Sequence, residues 1–245
     1  MKLQAVFFDI DGTLFPTSEF VDRARAASVE AMIDAGVRMD PTELRAELDE
    51  VIREFSSNFE HHFDKLLVRV PKRVYKGINP AMIVAAGVSA YHQMQWRQLE
   101  PYEDAYEALR RLAKVDMVRG IVTEGLEIKQ AMKLVRLDLA RYLTPNAIFI
   151  SHQLGISKPN VKLYKRACGD LNLKPNQCMY VGDNPATDID PCNSIGIVTV
   201  RMRREGRYRD AEGETEPRYE VQNFWDLLEI MRNDFDVPVP EQLDG

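Results

Sequence analysis

The stretch Val6-Phe7-Phe8-Asp9-Ile10-Asp11-Gly12-Thr13-Leu14 decides the fold, because it sets two carboxylates two residues apart where a hydrophobic strand breaks into a glycine turn. The apolar run before Asp9 reads as a buried strand rather than an entering helix. In a continuing strand Asp9 and Asp11 would share one side, and Gly12 lets the chain turn at once, so both can converge on one bound group. That arrangement suits a magnesium-bound carboxylate nucleophile with an acid beside it, and hence phosphoryl transfer through aspartate. On this segment alone a solvated turn stays open, since Asp and Gly favour bends. A calcium loop fits less well. It asks for an acidic or amide ligand two residues beyond Asp11 and a Glu at its twelfth position, where Thr13 and Phe20 stand instead.

The bulk properties bound the rest. A chain of 245 residues with 45% hydrophobic content can bury a real interior, as one large domain or as a core with an insertion. A net charge of -6 gives no general attraction to nucleic acid or to an anionic membrane. Cys168, Cys178 and Cys192 lack paired metal spacing and read as reduced thiols filling a core. No apolar leader block follows Met1-Lys2, and the longest mostly apolar window, Ile78 to Tyr91, is too short to span a bilayer. A cytoplasmic, unanchored protein is expected.

Outward from the first strand, residues Thr17 to Gln98 read almost wholly as helix. Val21, Ala24, Val29, Met32 and Ile33, then Leu44, Leu48, Val51 and Ile52, carry the amphipathic spacing. From Pro101 the pattern changes to short apolar runs alternating with helices: Met117 to Val122, Ala147 to Ile150, Cys178 to Val181 and Ile197 to Val200. The crossover helices are expected at Leu126 to Val135, Lys162 to Leu171 and Ala186 to Ser194. This alternation predicts an α/β fold, a Rossmann-like parallel sheet of five strands with helices on both faces. The helical block is then an insertion, giving a discontinuous core of residues 1–16 and 99–235, an all-helical cap of 17–98 and a tail of 236–245. In open parallel sheets ligands bind at the carboxyl ends of strands, so the cap is expected to act as a lid. Arg201 to Pro217, rich in Arg and then in acids, reads as a solvated loop, Trp225 to Met231 as a last helix, and Asp236 to Pro240 as a loose tail.

Further chemistry-bearing residues follow those strands. Thr123 ends the Gly120-Ile121-Val122 run, Lys158 sits in Ser157-Lys158-Pro159, and Val181-Gly182-Asp183 closes the next strand with Asp188 five residues on. A shared sheet edge would bring them into one cleft. There a hydroxyl, an ammonium and a carboxylate-held divalent cation suit a phosphoryl group. Thr123 would donate a hydrogen bond and Lys158 would supply charge and hold Asp9 ionised. Taken singly, Thr123 is also a helix N-cap, Lys158 a surface lysine, and Asp183 and Asp188 caps of the next helix.

In order and spacing, Asp9-Ile10-Asp11-Gly12-Thr13-Leu14, Thr123, Ser157-Lys158-Pro159 and Gly182-Asp183 with Asp188 resemble the four motifs of the haloacid dehalogenase superfamily. The resemblance covers nearly the whole chain, and the insertion is similar to the helical cap of the phosphoglycolate phosphatase-like branch. Within it the chain looks most like archaeal-type small phosphatases described as acting on glyceraldehyde 3-phosphate or phosphoglycolate. The resemblance implies that Asp9 attacks phosphorus, and that Asp11 protonates the leaving oxygen and then activates water. Mg2+ would be held by the Asp9 carboxylate, the Asp11 backbone carbonyl and Asp183, and Asp188 would orient Lys158 or the metal's waters. Thr123, Glu124 and Lys158 would face the phosphate, although relatives often carry Asn, Asp or a small polar residue where Glu124 stands, which leaves its role open. An acid at Asp11 favours a phosphatase over a dehalogenase, whose halide needs no proton.

The expected substrate is a small phosphorylated metabolite, chosen by cap residues among His61, His62, Arg69, Lys72, Arg73 and Tyr91. The Met94–Trp96 stretch reads as packing. No nucleic acid or membrane partner is expected, and a homodimer is the assembly that the resemblance suggests. A phosphomutase shares all of this chemistry, and a vestigial binding protein is the reading outside enzymology.

Overall fold

The computed structural model describes residues 2–56 and 59–242, with backbone alone for 95–98; the side chain of Trp96 therefore lies outside the described residues. The chain divides into two compact units, residues 1–18 with 100–245, and residues 19–99.

In the first unit, β1 (Ala5–Phe8) is buried along its whole length. That is the requirement for a strand covered on both faces. Ala5 and Phe7 turn to one face and join a core with Val122, Phe149, Leu163, Tyr164 and Tyr180, while Phe8 turns to the other and meets Phe224 at 5.8 Å between ring centroids. Around β1 lie β2 (Val118–Thr123), β3 (Ile148–Ile150), β4 (Cys178–Gly182), β5 (Val198–Met202) and β6 (Tyr219–Val221). Among the described residues they form one six-stranded sheet in the order β3-β2-β1-β4-β5-β6, parallel at every pairing.

The expected count of five strands is corrected to six. Tyr219–Val221 pairs with β5 through Val200↔Tyr219 and Met202↔Val221, but of its three residues only Val221 is buried. A three-residue edge strand needs no apolar run, so it left no strand-like pattern.

The crossover helices are α6 (Glu127–Arg136), α7 (Ser151–Leu154), α8 (Val161–Asp170) and α9 (Asp190–Ser194), with α5 (Glu103–Leu112) before β2 and α10 (Phe224–Phe235) at the end. Asn160 caps α8 by accepting from Lys162 N at 3.0 Å. The helix expected over Ala186 to Ser194 is instead a π-helical turn, Pro185–Ile189, followed by α9. Cys168, Cys178 and Cys192 are buried free thiols in the Phe7 core, as expected of core filler. Two loose readings are also corrected. Arg201 is a buried strand residue whose Nη2 donates to the carbonyls of Tyr208, Arg209 and Ala211 at 3.0, 3.1 and 2.7 Å, so it organises the loop rather than floating in it. Val237 and Val239 are buried, and Arg232 Nε donates to the Val239 carbonyl at 3.0 Å.

The second unit is helical: most of α1 (Thr17–Asp34), then α2 (Pro41–Phe55), α3 (His62–Arg69) and α4 (Pro80–Gln98). Its own core gathers Val29, Met32, Leu44, Leu48, Leu66 and Ile83. Asp40 and Asn79 each cap a helix that opens on proline, a favourable start because proline lacks only an N–H that would be unpaired there. No helix among the described residues is long and apolar enough to cross a membrane.

Candidate active site

The order β2-β1-β4 puts three carboxyl ends side by side at the point where the strand order reverses, the usual place for a ligand in an open parallel sheet. Asp9 leaves β1 still zipped to β4, its N–H donating to the Val181 carbonyl at 2.9 Å. Asp183 leaves β4 next to it. Asp9, Asp183 and Asp188 each offer a carboxylate oxygen, all within 4.8 Å of one another.

Two glycines make this approach feasible. Gly12 has φ +73°, and a Cβ on it would lie 2.8 Å from Asp183 Cγ. A Cβ on Gly182 would lie 2.6 Å from Asp188 Cγ. Both distances are well inside van der Waals contact, so only glycine lets these carboxylates fold in against the turns.

Lys158 is buried and bridges the acids. Its Nζ donates to Asp188 Oδ1 at 2.6 Å and to the Tyr180 hydroxyl at 2.7 Å, and it lies 3.1 Å from Asp9 Oδ1. Burial pulls its pKa down, but Asp188 and Asp9 outweigh burial and raise it. The surface-lysine reading is therefore corrected. Asp188 is fully buried with its oxygens occupied: beyond Lys158, the Asn184 N–H donates to Oδ2 at 3.1 Å. Burial pushes the Asp9 carboxyl up to about 6, against the pull of Lys158 and with Asp188 and Asp11 adding to the rise. Lys158 pulls the Asp9 carboxyl toward its ionised form, as expected, and burial outweighs that pull. Asp183 is pushed up to about 8 by burial and by the charges of Asp188 and Asp9.

Asp11 points elsewhere, toward α6. Lys133 Nζ reaches its Oδ1 and Oδ2 at 2.6 and 2.7 Å. Gln130 Nε2 donates to Oδ2 and Thr17 Oγ1 to Oδ1, each at 3.0 Å. Burial raises the Asp11 pKa, but the Lys133 charge with the hydrogen bonds from Lys133, Gln130 and Thr17 wins and holds it below the ordinary value. Thr123 is fully buried and its hydroxyl accepts from Gln130 Nε2 at 2.8 Å. It does not cap α6, where Leu126 stands at the N-cap. Glu124 is exposed and accepts from the Ser157 hydroxyl at 3.0 Å.

Comparison with known proteins decides the family. The model of the haloacid dehalogenase-like hydrolases matches residues 3–196. The chain belongs to the haloacid dehalogenase-like hydrolases. A relative named glyceraldehyde 3-phosphate phosphatase, from Methanopyrus kandleri, is 39% identical over 236 residues, covering 94% of this chain and 97% of its own. Among solved structures, a HAD phosphatase from Thermococcus onnurineus matches with TM-score 0.68 at 22% identity, over 94% of this chain and 98% of its own. The putative HAD-hydrolase YfnB from Bacillus subtilis, described as bound to magnesium, matches with TM-score 0.64 at 17% identity, over 94% and 99%. These two likenesses speak to the fold.

For a haloacid dehalogenase-like hydrolase the acidic cluster is suited to a hard divalent cation. Asp9 Oδ1 is buried without an aligned hydrogen-bond donor, and crowded carboxylates share one ammonium. A cation with oxygen ligands would relieve both. Four residues around the site went unread in the sequence: Thr17, Gln130, Lys133 and Tyr180. Gln130 carried a usable signal, for it is buried in α6 one turn before Leu134, a polar residue standing in an apolar stripe. Tyr180 looked like core, which it also is.

In the helical unit, His62 Nε2 contacts the Ser56 carbonyl at 2.8 Å, and His61 Nδ1 lies 3.5 Å from Asp64. Arg69 pairs with Glu50 at 3.6 Å and with Glu54. The Tyr91 ring meets His92 edge-on at 6.1 Å. Lys72 and Arg73 are exposed on a 3-10 turn.

Proposed function

We propose that this enzyme, a phosphoric monoester hydrolase, releases phosphate from a small phosphorylated sugar through an aspartyl-phosphate on Asp9. The observation that carries the reading is the gathering of Asp9, Asp183 and Asp188 within 4.8 Å, with the Lys158 ammonium 3.1 Å from Asp9. The name of the 39% identical relative supports glyceraldehyde 3-phosphate as the first ester to test.

Asp9 would hold Mg2+ together with Asp183 and the Asp11 backbone carbonyl, and the magnesium of YfnB supports that ion. Bound there, the ion would supply a positive charge that neutralises phosphate oxygens. Lys158, fixed by Asp188 and Tyr180, would add its charge to the same phosphate, and Thr123 and Glu124 complete the phosphate side. An Asp9 oxygen would form the bond to phosphorus as the ester P–O bond breaks, its electron pair leaving with the alcohol oxygen. Asp11 would pass a proton to that oxygen and recover one from the water that next attacks phosphorus. Asp188 acts through Lys158, as a buried partner that fixes the ammonium. Choice among substrates would fall to the helical unit, whose exposed cations include Lys72 and Arg73.

The test is turnover on a panel of triose, sugar and carboxylic phosphates with magnesium titrated, and borohydride reduction of the quenched enzyme to locate the acyl phosphate. Strong activity on phosphopeptides alone would remove the small-substrate reading. Turnover that never labels Asp9 would remove the mechanism.

A further inference from the structure

Among the described residues, every side chain hydrogen-bonded to the Asp11 carboxylate is a donor. Lys133 gives two contacts at 2.6 and 2.7 Å, Gln130 one and Thr17 one, both at 3.0 Å. Thr17 Oγ1 itself accepts from Gly12 N at 3.0 Å, so its proton is committed to Asp11. A cage made only of donors serves a carboxyl group that accepts. The cage is also stiff. Gln130 ties Asp11 to the Thr123 hydroxyl at 2.8 Å and to the Glu124 carbonyl at 2.9 Å. The Lys133 ammonium lies 5.5 Å from the Phe15 ring centroid, and its side chain is 24% exposed.

We propose that Lys133 is a positioning residue for the hydrolytic half of the reaction: it fixes the Asp11 carboxylate as acceptor of the attacking water's proton. The proposal rests on the phosphatase reading above. In that half-reaction a lone pair of the water oxygen forms the new bond to phosphorus. The bond from phosphorus to Asp9 breaks, its pair returning to the Asp9 oxygen. The water's proton passes to Asp11, and it is this proton that the leaving alcohol receives in the next turnover, so the cycle balances.

The first transfer and the hydrolysis separate with p-nitrophenyl phosphate, whose leaving group departs without acid help. With magnesium present, K133M should release its first equivalent of nitrophenolate within about threefold of the parent rate. It should then turn over about 30- to 100-fold more slowly, the effect of a misplaced base, while phosphoenzyme accumulates. K133R, which can still fork onto a carboxylate, should recover steady-state turnover to within about fivefold of the parent. A raised KM at unchanged kcat would make Lys133 a substrate anchor and overturn the proposal. Equal slowing of both phases, no change in either, or failure of both K133M and K133Q to fold would overturn it as well. A parent enzyme that never labels Asp9 fails the phosphatase reading itself; a parent that labels and turns over beside an indistinguishable K133M fails only Lys133.

Discussion

Asp9 and Asp183 are carboxylates that the fold makes reluctant to ionise, and the pH response of the protein follows from that. Each has a folded-state pKa above the ordinary 3.8, about 6 for Asp9 and about 8 for Asp183. Ionisation therefore costs the folded state stability above these values, and the cost disappears as pH falls toward the ordinary value. At the proposed metal site magnesium would have to displace those protons, so its affinity should fall by about tenfold per pH unit below pH 8 and more steeply below 6, as titration calorimetry would measure. A flat profile from pH 6 to 8 would mean that binding displaces no proton from Asp183 in that range. Asp9→Asn should lower turnover by about a thousandfold or more, and should melt higher than the metal-free parent at pH 8 but not at pH 4. Tyr180→Phe removes one partner of Lys158 and the donor to the Val122 carbonyl at 2.8 Å, and should cost about 1 kcal/mol in denaturant unfolding. Asp9 and Asp183 were legible in the sequence because each stands where an apolar run stops, and Asp11 and Lys158 because each lies in the connection that follows one. Lys133 and Gln130 were not, because their meaning depends on which face of α6 docks against the first turn.

At the scale of elements, the turn after β1 and the end of β4 are built as a pair. Gly12→Ala meets both a left-handed φ and the Asp183 carboxyl, so it should destabilise the fold by about 1–3 kcal/mol. It should also weaken magnesium binding, because Asp183 is the atom group that must move. Normal affinity in a destabilised Gly12→Ala would separate the turn from the metal site. The strands β1 to β5 could be read from apolar runs of three to six residues because both sheet faces are covered. The short β6 could not, for its Tyr-Glu-Val pattern is that of any half-exposed segment. Arg201 was misread for a related reason: a guanidinium that serves three loop carbonyls has the same composition as one in water. Arg201→Met would leave those carbonyls unserved and should cost about 2–3 kcal/mol, with proteolysis between residues 203 and 211 accelerated.

For the whole molecule, the interruption of an α/β pattern by some eighty helical residues was visible as a change of period, and it corresponds to a unit with its own core. Leu44, fully buried in that core, tests the independence of the two: Leu44→Ala should destabilise the helical unit by about 2–5 kcal/mol. Hydrogen exchange would register the loss there while calorimetric magnesium binding by the aspartates stays unchanged. The strand order carries a consequence for biosynthesis. β1 leaves the ribosome first, yet both of its neighbours in the sheet, β2 and β4, are translated far later. Until Cys178–Gly182 emerges, one flank of β1 has no permanent occupant, an exposed edge of the kind that invites aggregation or chaperone capture. On the proposed mechanism the nucleophile Asp9 and the metal ligand Asp183 are separated by that same delay, so a chain cut short before Asp183 would hold half of the proposed centre and should be silent toward phosphate esters.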